Sequence, residues 1–582
     1  MAITDPVPPV EAPVARPRPT DLTEEQLGFR RQRAVRWLRP GVLVKTGAQS
    51  LLAAIFGSFA DKRELQGGLP AVIHRHDSGS ELWLDYVADL GDGFDATFSI
   101  ASLLAAETLE VPGAGKLPRG RLLVMGGDQV YPFASTRDYE DRSKGVYRAA
   151  LPVPHGVAPT LFALPGNHDW YDGLTAFLRV FAQRRPFGGW RTEQTRSYFA
   201  VQLPRRWWLL AIDTQLNDYV DSPQLEYFRT VSQDLREGDA VILCTSSPSW
   251  VAAGSGGDTK GYDTIEFFNR EIVRPRGAEI RVMLSGDRHH YARYAEVDGT
   301  GQRITCGLGG AYLSATHKLP EELELPPPKS RVREPSEVTR FTLPTRYPEK
   351  SQSRRLAGGI FRLPWRNPGF WLLTGIAQTA MTLAVLLGLA GSDAGTFRVL
   401  AAWMPALLVA AVLVLGGIAF ARIDLPKSAR TNTRAGVLHA ASHLGLSFGW
   451  AVVIRWLDQS VLPAGVGPDL VLIAIVLIGT PVVIGFVDAE VVAVYLLIAS
   501  TRCVNLNEAF AGQSIEDYKG FLRMRISSTG ELTLYPVKLP TVCRRWTVHP
   551  EGAPSDPWLR PDGTALSPVL IEDPITVPRS ST

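Results

Sequence analysis

Four apolar runs in the second half of this chain limit its folding options more than any other feature. Phe370–Ala390, Val399–Phe420, Val437–Trp456 and Leu470–Val487 each reach about the twenty residues that a helix needs to cross a bilayer. One such run fits a buried helix of a soluble core; four in succession fit a membrane bundle. The last run continues through Asp488, Glu490 and Val491–Ser500, and a helix over all of Leu470–Ser500 would exceed the bilayer and project into water. Arg354, Arg355, Arg362 and Arg366 precede the first span, Arg422, Lys427, Arg430 and Arg434 separate the second from the third, and Arg502, Lys519 and Arg523 follow the fourth. The other two connections are poor in positive charge, with Arg398 and Arg455 at their edges. By the positive-inside rule, this predicts an integral protein of the inner or plasma membrane with both termini in the cytoplasm. His439 and His443 share a helix face in the third span, and Asp488 and Glu490 lie near the end of the fourth. Both sets are expected near cytoplasmic boundaries, where an interfacial position explains them as well as an ion or proton path does.

A chain of 582 residues should hold more than one domain. A net charge of +3 with 20% charged residues offers no basic field for nucleic acid, so no nucleic-acid partner is expected. Cys244, Cys306, Cys503 and Cys543 form no CxxC pair and read as reduced thiols. Residues 1–22 are proline-rich and polar, and are predicted to be a disordered tail. Residues 23–80 carry a helical pattern. Residues 314–368, rich in Pro, Glu, Lys and Arg, read as a polar linker. The spans occupy 369–500. In the C-terminal cytosolic region, 501–582, Phe521–Ile526 and Glu531–Val537 flank a Ser528-Thr529-Gly530 turn as a hairpin.

Between residues 81 and 313 strands and helices alternate, and the apolar strands end in polar turns. Leu82–Val87 runs into Ala88-Asp89-Leu90-Gly91. Arg121–Met125 runs into Gly126-Gly127-Asp128-Gln129-Val130-Tyr131. Thr160–Leu164 runs into Pro165-Gly166-Asn167-His168-Asp169. Ile280–Leu284 runs into Ser285-Gly286-Asp287-Arg288-His289-His290. This is an α/β layered pattern with candidate active groups on strand-end loops. An amide beside an imidazole suits a hard metal ion and a proton donor. His290, Asp92, Asp213 and the mixed charge run Asp138–Arg142 read as structural or solvated groups, and Arg288 and Arg293 read equally as solvent-facing arginines or as groups that meet phosphate oxygens.

These strand ends, in this order, resemble the calcineurin-like metallophosphoesterase superfamily, with DxG and GDxxY forms similar to its purple acid phosphatase branch. The resemblance implies a two-layered β-sandwich flanked by helices. The whole chain then reads as this α/β domain, an α-helical transmembrane bundle and a small C-terminal β segment. It also implies a site for one or two divalent or trivalent ions (Mn, Fe, Mg or Zn). Asp89, Asp128, Tyr131 and His289 would hold the first ion, with Asp128 bridging and Asn167 reaching the second. His168 would protonate the leaving oxygen, with Asp169 orienting its ring. Two departures stand out. Val241–Ser247 carries no histidine where the family usually has one, and Asp287 replaces the first histidine of GHxH. Either Asp128, Asn167 and Asp287 make an oxygen-rich second site for Mg²⁺ or Mn²⁺, or that site is weak or empty. The expected activity is hydrolysis of a phosphomonoester or phosphodiester, on a phosphorylated small molecule or lipid. The alternatives are a phosphoesterase-fold sensor signalling through the spans, and a transporter with a regulatory domain.

Overall fold

The computed structural model describes residues 16–56, 61–77, 79–154, 156–215, 218–391, 396–422, 429–462 and 465–579. Most of the expected disordered tail (residues 1–15) and Lys427 lie outside the described residues. The chain divides into two compact units. One gathers Met1–Val35, Thr46–Lys350 and Glu516–Thr582; the other comprises Arg36–Lys45 and Ser351–Ile515.

The first unit is built on short strands that are apolar on both faces. Leu82–Val87, Leu122–Met125 and Thr160–Ala163 are almost wholly buried, as parallel strands covered on both sides must be. They pair in parallel, with Leu84 beside Leu122 and Leu122 beside Thr160, so all three end at one edge. A second sheet centres on Trp207–Ile212, Ala240–Thr245 and Glu279–Ser285, which are also parallel. Alternation along each strand divides the side chains between layers. Phe162 stacks on Phe199 of the second sheet with ring centroids 5.0 Å apart. Its neighbours Leu161 and Ala163 share a core with Phe98 and Ala101 of the helix Phe94–Ala105. Two sheets with flanking helices give the α/β layering that the sequence predicts.

Three expectations need correction. Residues 314–368 are not all linker: Glu322–Leu325 and Thr339–Tyr347 are strands, the second pairing with Tyr291–Glu296. Within 23–80, Ile73–Arg75 is a strand beside Phe199–Gln202 rather than helix. The C-terminal hairpin, Lys519–Ile526 with Leu532–Leu539, is present but does not stand alone. It pairs antiparallel with Leu82–Val87, from Leu522 beside Tyr86 to Ile526 beside Leu82, covering an edge that would otherwise expose unpaired backbone groups. Lys519 and Arg523 are therefore fully buried strand residues and not loop charges. Of the three cations counted after the fourth span, only Arg502 is exposed.

In the second unit, four helices are long and apolar enough to cross a membrane: Pro368–Ala390, Thr396–Ala421, Arg430–Val461 and Val466–Ser500. Leu407, Val412 and Leu415 on the second are each more than half exposed, as a lipid-facing surface is. The first and fourth approach closely at Gly375 and Gly485. A Cβ on Gly485 would lie 2.5 Å from Gly375 Cα, the kind of contact that small residues permit.

Candidate functional site

Because the parallel strands of each sheet end at a common edge, their terminal turns gather there. Asp89 follows Leu82–Val87, Asp128 and Tyr131 follow Leu122–Met125, Asn167 and His168 follow Thr160–Ala163, and Asp287 and His289 follow Glu279–Ser285. The Tyr131 hydroxyl is the hub. It lies 3.1 Å from Asp89 Oδ1, 3.1 Å from Asp128 Oδ2 and 3.0 Å from His289 Nε2. The Asp287 backbone N–H donates to Asp89 Oδ1 at 3.1 Å, and the His168 N–H donates to Asp128 Oδ1 at 2.9 Å. The turns are strained: Asp89, Asp128 and Asp287 have φ of 59°, 52° and 67°. Such backbone costs about 1–3 kcal/mol per residue and clusters at functional sites.

Gly166 makes the close approach possible. A Cβ there would lie 2.2 Å from Asp128 Oδ1. Gly166→Ala is expected to lower stability by about 1–3 kcal/mol through overpacking and to displace Asp128. Thermal melting checks the first effect, and an unchanged melting temperature would contradict this geometry.

Electrostatically the site gathers buried carboxyl groups. Burial, then Asp128 and Asp287, push the Asp89 carboxyl well above its usual range. Burial and Asp287 push Asp128 up to about 7. Asp89 Oδ2 is buried with no hydrogen-bond partner among the described residues. Buried like charges of this kind favour either a proton or a cation. The donors are mostly oxygen with one imidazole, a set that suits hard or borderline ions. Among the described residues, however, no three His, Cys, Asp or Glu side chains converge as a ready-made metal cluster, and the phenol hydroxyl stands between the donors. Asn167 is half-buried, with its Nδ2 3.3 Å from the Tyr171 hydroxyl.

His168 packs between Tyr131 and Tyr171, with ring centroids at 4.5 and 4.8 Å. Its orientation departs from the family expectation. His168 Nδ1 is 2.9 Å from the carbonyl of Pro132, to which it donates. Asp169 instead holds the turn: it accepts from Gly166 N at 2.8 Å, from Gln129 N at 3.3 Å and from the Tyr139 hydroxyl. Asp169 lies one residue on in a helical turn and points into the protein, so the ring is oriented by backbone. Burial pushes His168 down to about 4, against the opposing Pro132 bond. The resting imidazole is therefore neutral at pH 7, protonated on Nδ1, with Nε2 as acceptor.

Where the family usually has a further histidine, the strand Ala240–Thr245 delivers Ser246, whose Oγ accepts from Gln215 Nε2 at 2.7 Å. Arg293 is taken by Glu572, with its Nε 2.9 Å from Oε1, and is not available to phosphate. Asp213 accepts from Trp170 Nε1 at 3.2 Å. Asp92 accepts from the backbone of Val35 at 2.6 Å and of Tyr312 at 3.1 Å. Asp141, expected on a solvated face, is buried and accepts from Arg30 N at 2.9 Å.

Sequence reasoning missed Lys519. Its strand runs antiparallel to Leu82–Val87, so its N-terminal end lies beside the turn that carries Asp89. The ammonium is fully buried without a hydrogen-bond partner among the described residues. Desolvation pushes it down to about 8, opposed by Asp92, Glu516, Asp517 and Asp89. A lysine in a chain segment after the spans carries no local signal for this position. Since its folded value lies below the unfolded one, the fold binds fewer protons between about pH 8 and 10.5, and stability rises with pH there. Lys519→Met is expected to remove this rise, on the order of 3 kcal/mol across the window, as measured by denaturant midpoints of both proteins.

No protein-family model matches the chain, and no curated protein matches it. Among solved structures, it is weakly similar to GAP50, the anchor in the inner membrane complex of Plasmodium, with a TM-score of 0.31 and 14% identity over 40% of this chain and 74% of that one. It is also weakly similar to the purple acid phosphatase PPD1 from yellow lupin (Lupinus luteus) seeds, at 0.27 and 12% over 42% and 46%. A third neighbour is PhoD, at 0.27 and 13% over 42% and 59%. The chain thus spans less than two thirds of the lupin enzyme and of PhoD.

Proposed function

We propose that the strand-end site is that of a metal-dependent phosphoesterase, joined to a membrane bundle. One observation carries this reading. Asp89 and Asp128 are held close on strained turns around Tyr131 and His289, with Asp89 Oδ2 buried and unpartnered. Asp89, Asp128, Tyr131 and His289 would hold a first divalent or trivalent ion, with Asn167 and Asp287 available to a second. Bound metal supplies Lewis-acid polarisation of a phosphoryl group and activation of water. The chain's own residues do the rest. The Pro132 carbonyl fixes His168 Nδ1, and Nε2 would exchange a proton with substrate. As general acid, His168 must first gain a proton on Nε2, which an anionic phosphate beside the ring favours. Asp169 and Tyr139 hold the turn that presents Asn167 and His168.

A sensor that binds a phosphorylated ligand without turnover is the second reading. It is favoured by Ser246 and Asp287 in place of imidazoles and by the Tyr131 hydroxyl between the donors. The proposed substrate class is a phosphorylated small molecule or lipid. The proposed orientation puts both termini and the strand-end site in the cytoplasm, supported by the arginines before the first span and between the second and third. The test is turnover of nitrophenyl phosphomonoester and phosphodiester by the full chain with Mn²⁺, Fe, Mg²⁺ or Zn²⁺, against an Asp128→Ala control. Turnover above the control supports the enzyme. No turnover with any metal, together with phosphate-ester binding, supports the sensor.

A further inference from the structure

A second cluster of titratable groups lies within the helical unit. His443 Nδ1 is 2.5 Å from Asp488 Oδ1, and His443 Nε2 is 2.9 Å from Nε2 of His439. The fold thus joins side chains that the sequence placed in separate, boundary positions. At about 1.5 Å per residue, His443 stands roughly 13 Å along its helix from Arg434. That depth approaches half of a hydrocarbon layer of about 30 Å. Asp488 is 2% and His439 8% exposed.

Each packed helix contributes to this pocket of polarity. The helix Thr396–Ala421 brings the Phe420 ring, 6.1 Å from that of His439. The helix Pro368–Ala390 brings Gln378, whose Nε2 donates to the His443 carbonyl at 3.3 Å and whose Oε1 accepts from Ser447 at 2.6 Å. The fourth helix brings Tyr495, stacked on His439 at 3.8 Å, and its hydroxyl donates to Asn505 at 2.8 Å. Further charged residues on these elements include Glu490 on the Asp488 helix, Arg430, Arg434 and Arg455 on the histidine helix, and Glu508, 3.4 Å from Asn505.

The two short contacts restrict where protons sit. With Asp488 ionised, His443 Nδ1–H donates to it, so the neutral ring accepts at Nε2, and His439 donates from Nε2–H. This leaves His439 Nδ1 as an open acceptor. That nitrogen is buried with no hydrogen-bond partner among the described residues. A proton added there can be passed on: His439 Nε2–H moves to His443 Nε2, and His443 Nδ1–H moves to Asp488. The end state is a carboxylic acid and two neutral imidazoles in their other tautomers. One proton enters, the cluster's charge goes from −1 to 0, and neither end state holds an imidazolium in an apolar interior. Ionisable groups at membrane depth are costly and are kept where such chemistry occurs.

We propose that Asp488, His443 and His439 form a proton-binding site in the membrane unit, with Nδ1 of His439 as its entry. The proposal rests on the four helices crossing a membrane and is independent of the phosphoesterase reading. It is tested by pH-titrated infrared difference spectroscopy on the full chain in lipid nanodiscs, in water and in deuterium oxide. The expected result is a carboxyl C=O band, additional to any from the buried Asp89 and Asp128 of the strand-end site, that grows as pH falls and shifts in deuterium oxide. The band should vanish in Asp488→Asn, persist in Glu490→Gln, and change its midpoint in His439→Gln, with cooperative melting retained in each. The site is overturned if the pH-difference spectra of the folded wild-type protein and of Asp488→Asn show the same carboxyl bands. Stoichiometric Zn²⁺ binding that abolishes the titration and is lost in His439→Gln would make it a metal site instead.

Discussion

His168→Ala is expected to reduce the proposed phosphoesterase turnover by about 10²–10⁴-fold, the usual contribution of a positioned proton-transfer group. The side chain is held by a hydrogen bond to the Pro132 carbonyl and by packing against Tyr131 and Tyr171. Its removal takes away the proposed proton carrier, while Asp89, Asp128 and His289 keep their contacts with Tyr131. Metal stoichiometry should therefore stay at the wild-type value while turnover falls. Turnover unchanged in the variant would exclude His168 from the chemistry. Asp169→Asn separates the roles further. Asp169 holds the turn through Gly166, Gln129 and Tyr139, so this variant should lose melting temperature as well as rate, whereas His168→Ala should lose mainly rate.

Arg523→Ala is expected to destabilise the first unit by about 3–5 kcal/mol, the cost of breaking a buried ion pair and stranding one partner. Arg523 is fully buried and bidentate to Asp85, with Nε 2.7 Å from Oδ1 and Nη2 3.0 Å from Oδ2, and it also donates to the Leu117 carbonyl at 3.1 Å. The pair joins residues 438 positions apart in the chain. In denaturant unfolding, the variant midpoint should fall without a change in the number of transitions. Arg523→Ala with Asp85→Ala should recover part of the loss, because no buried charge is then left alone. A wild-type midpoint for Arg523→Ala would show that the C-terminal hairpin is not integral to the sheet.

The parts of the site that were legible in the sequence are those with local causes. A short apolar strand closed by a glycine and a polar residue is a strand-end turn wherever it lies in the chain. Asp89, Asp128, Tyr131, Asn167, His168, Asp287 and His289 each carry that mark, and the shared edge of parallel strands does the rest. Details that depend on which backbone atom faces a side chain were not legible. The Pro132 carbonyl that orients His168, and the turn that draws Asp169 away, follow from chain direction after the strand.

The four apolar runs and the strand-end turns are properties of consecutive residues, because hydrophobic length and strand termination are set over a few to a few tens of residues. Sequence therefore specified the two kinds of structure and the strand-end turns that carry the candidate residues. Pairing between distant segments is a property of the whole chain. The hairpin that follows the four long apolar helices seals the open edge of Leu82–Val87. That edge buries Arg523 against Asp85 and Lys519 near Asp89, turning apparent loop charges into core groups. Packing of the third and fourth long helices likewise brings Asp488 onto His443. These contacts were decided by tertiary structure, since burial changes what a charge does, and burial is set by which segments meet.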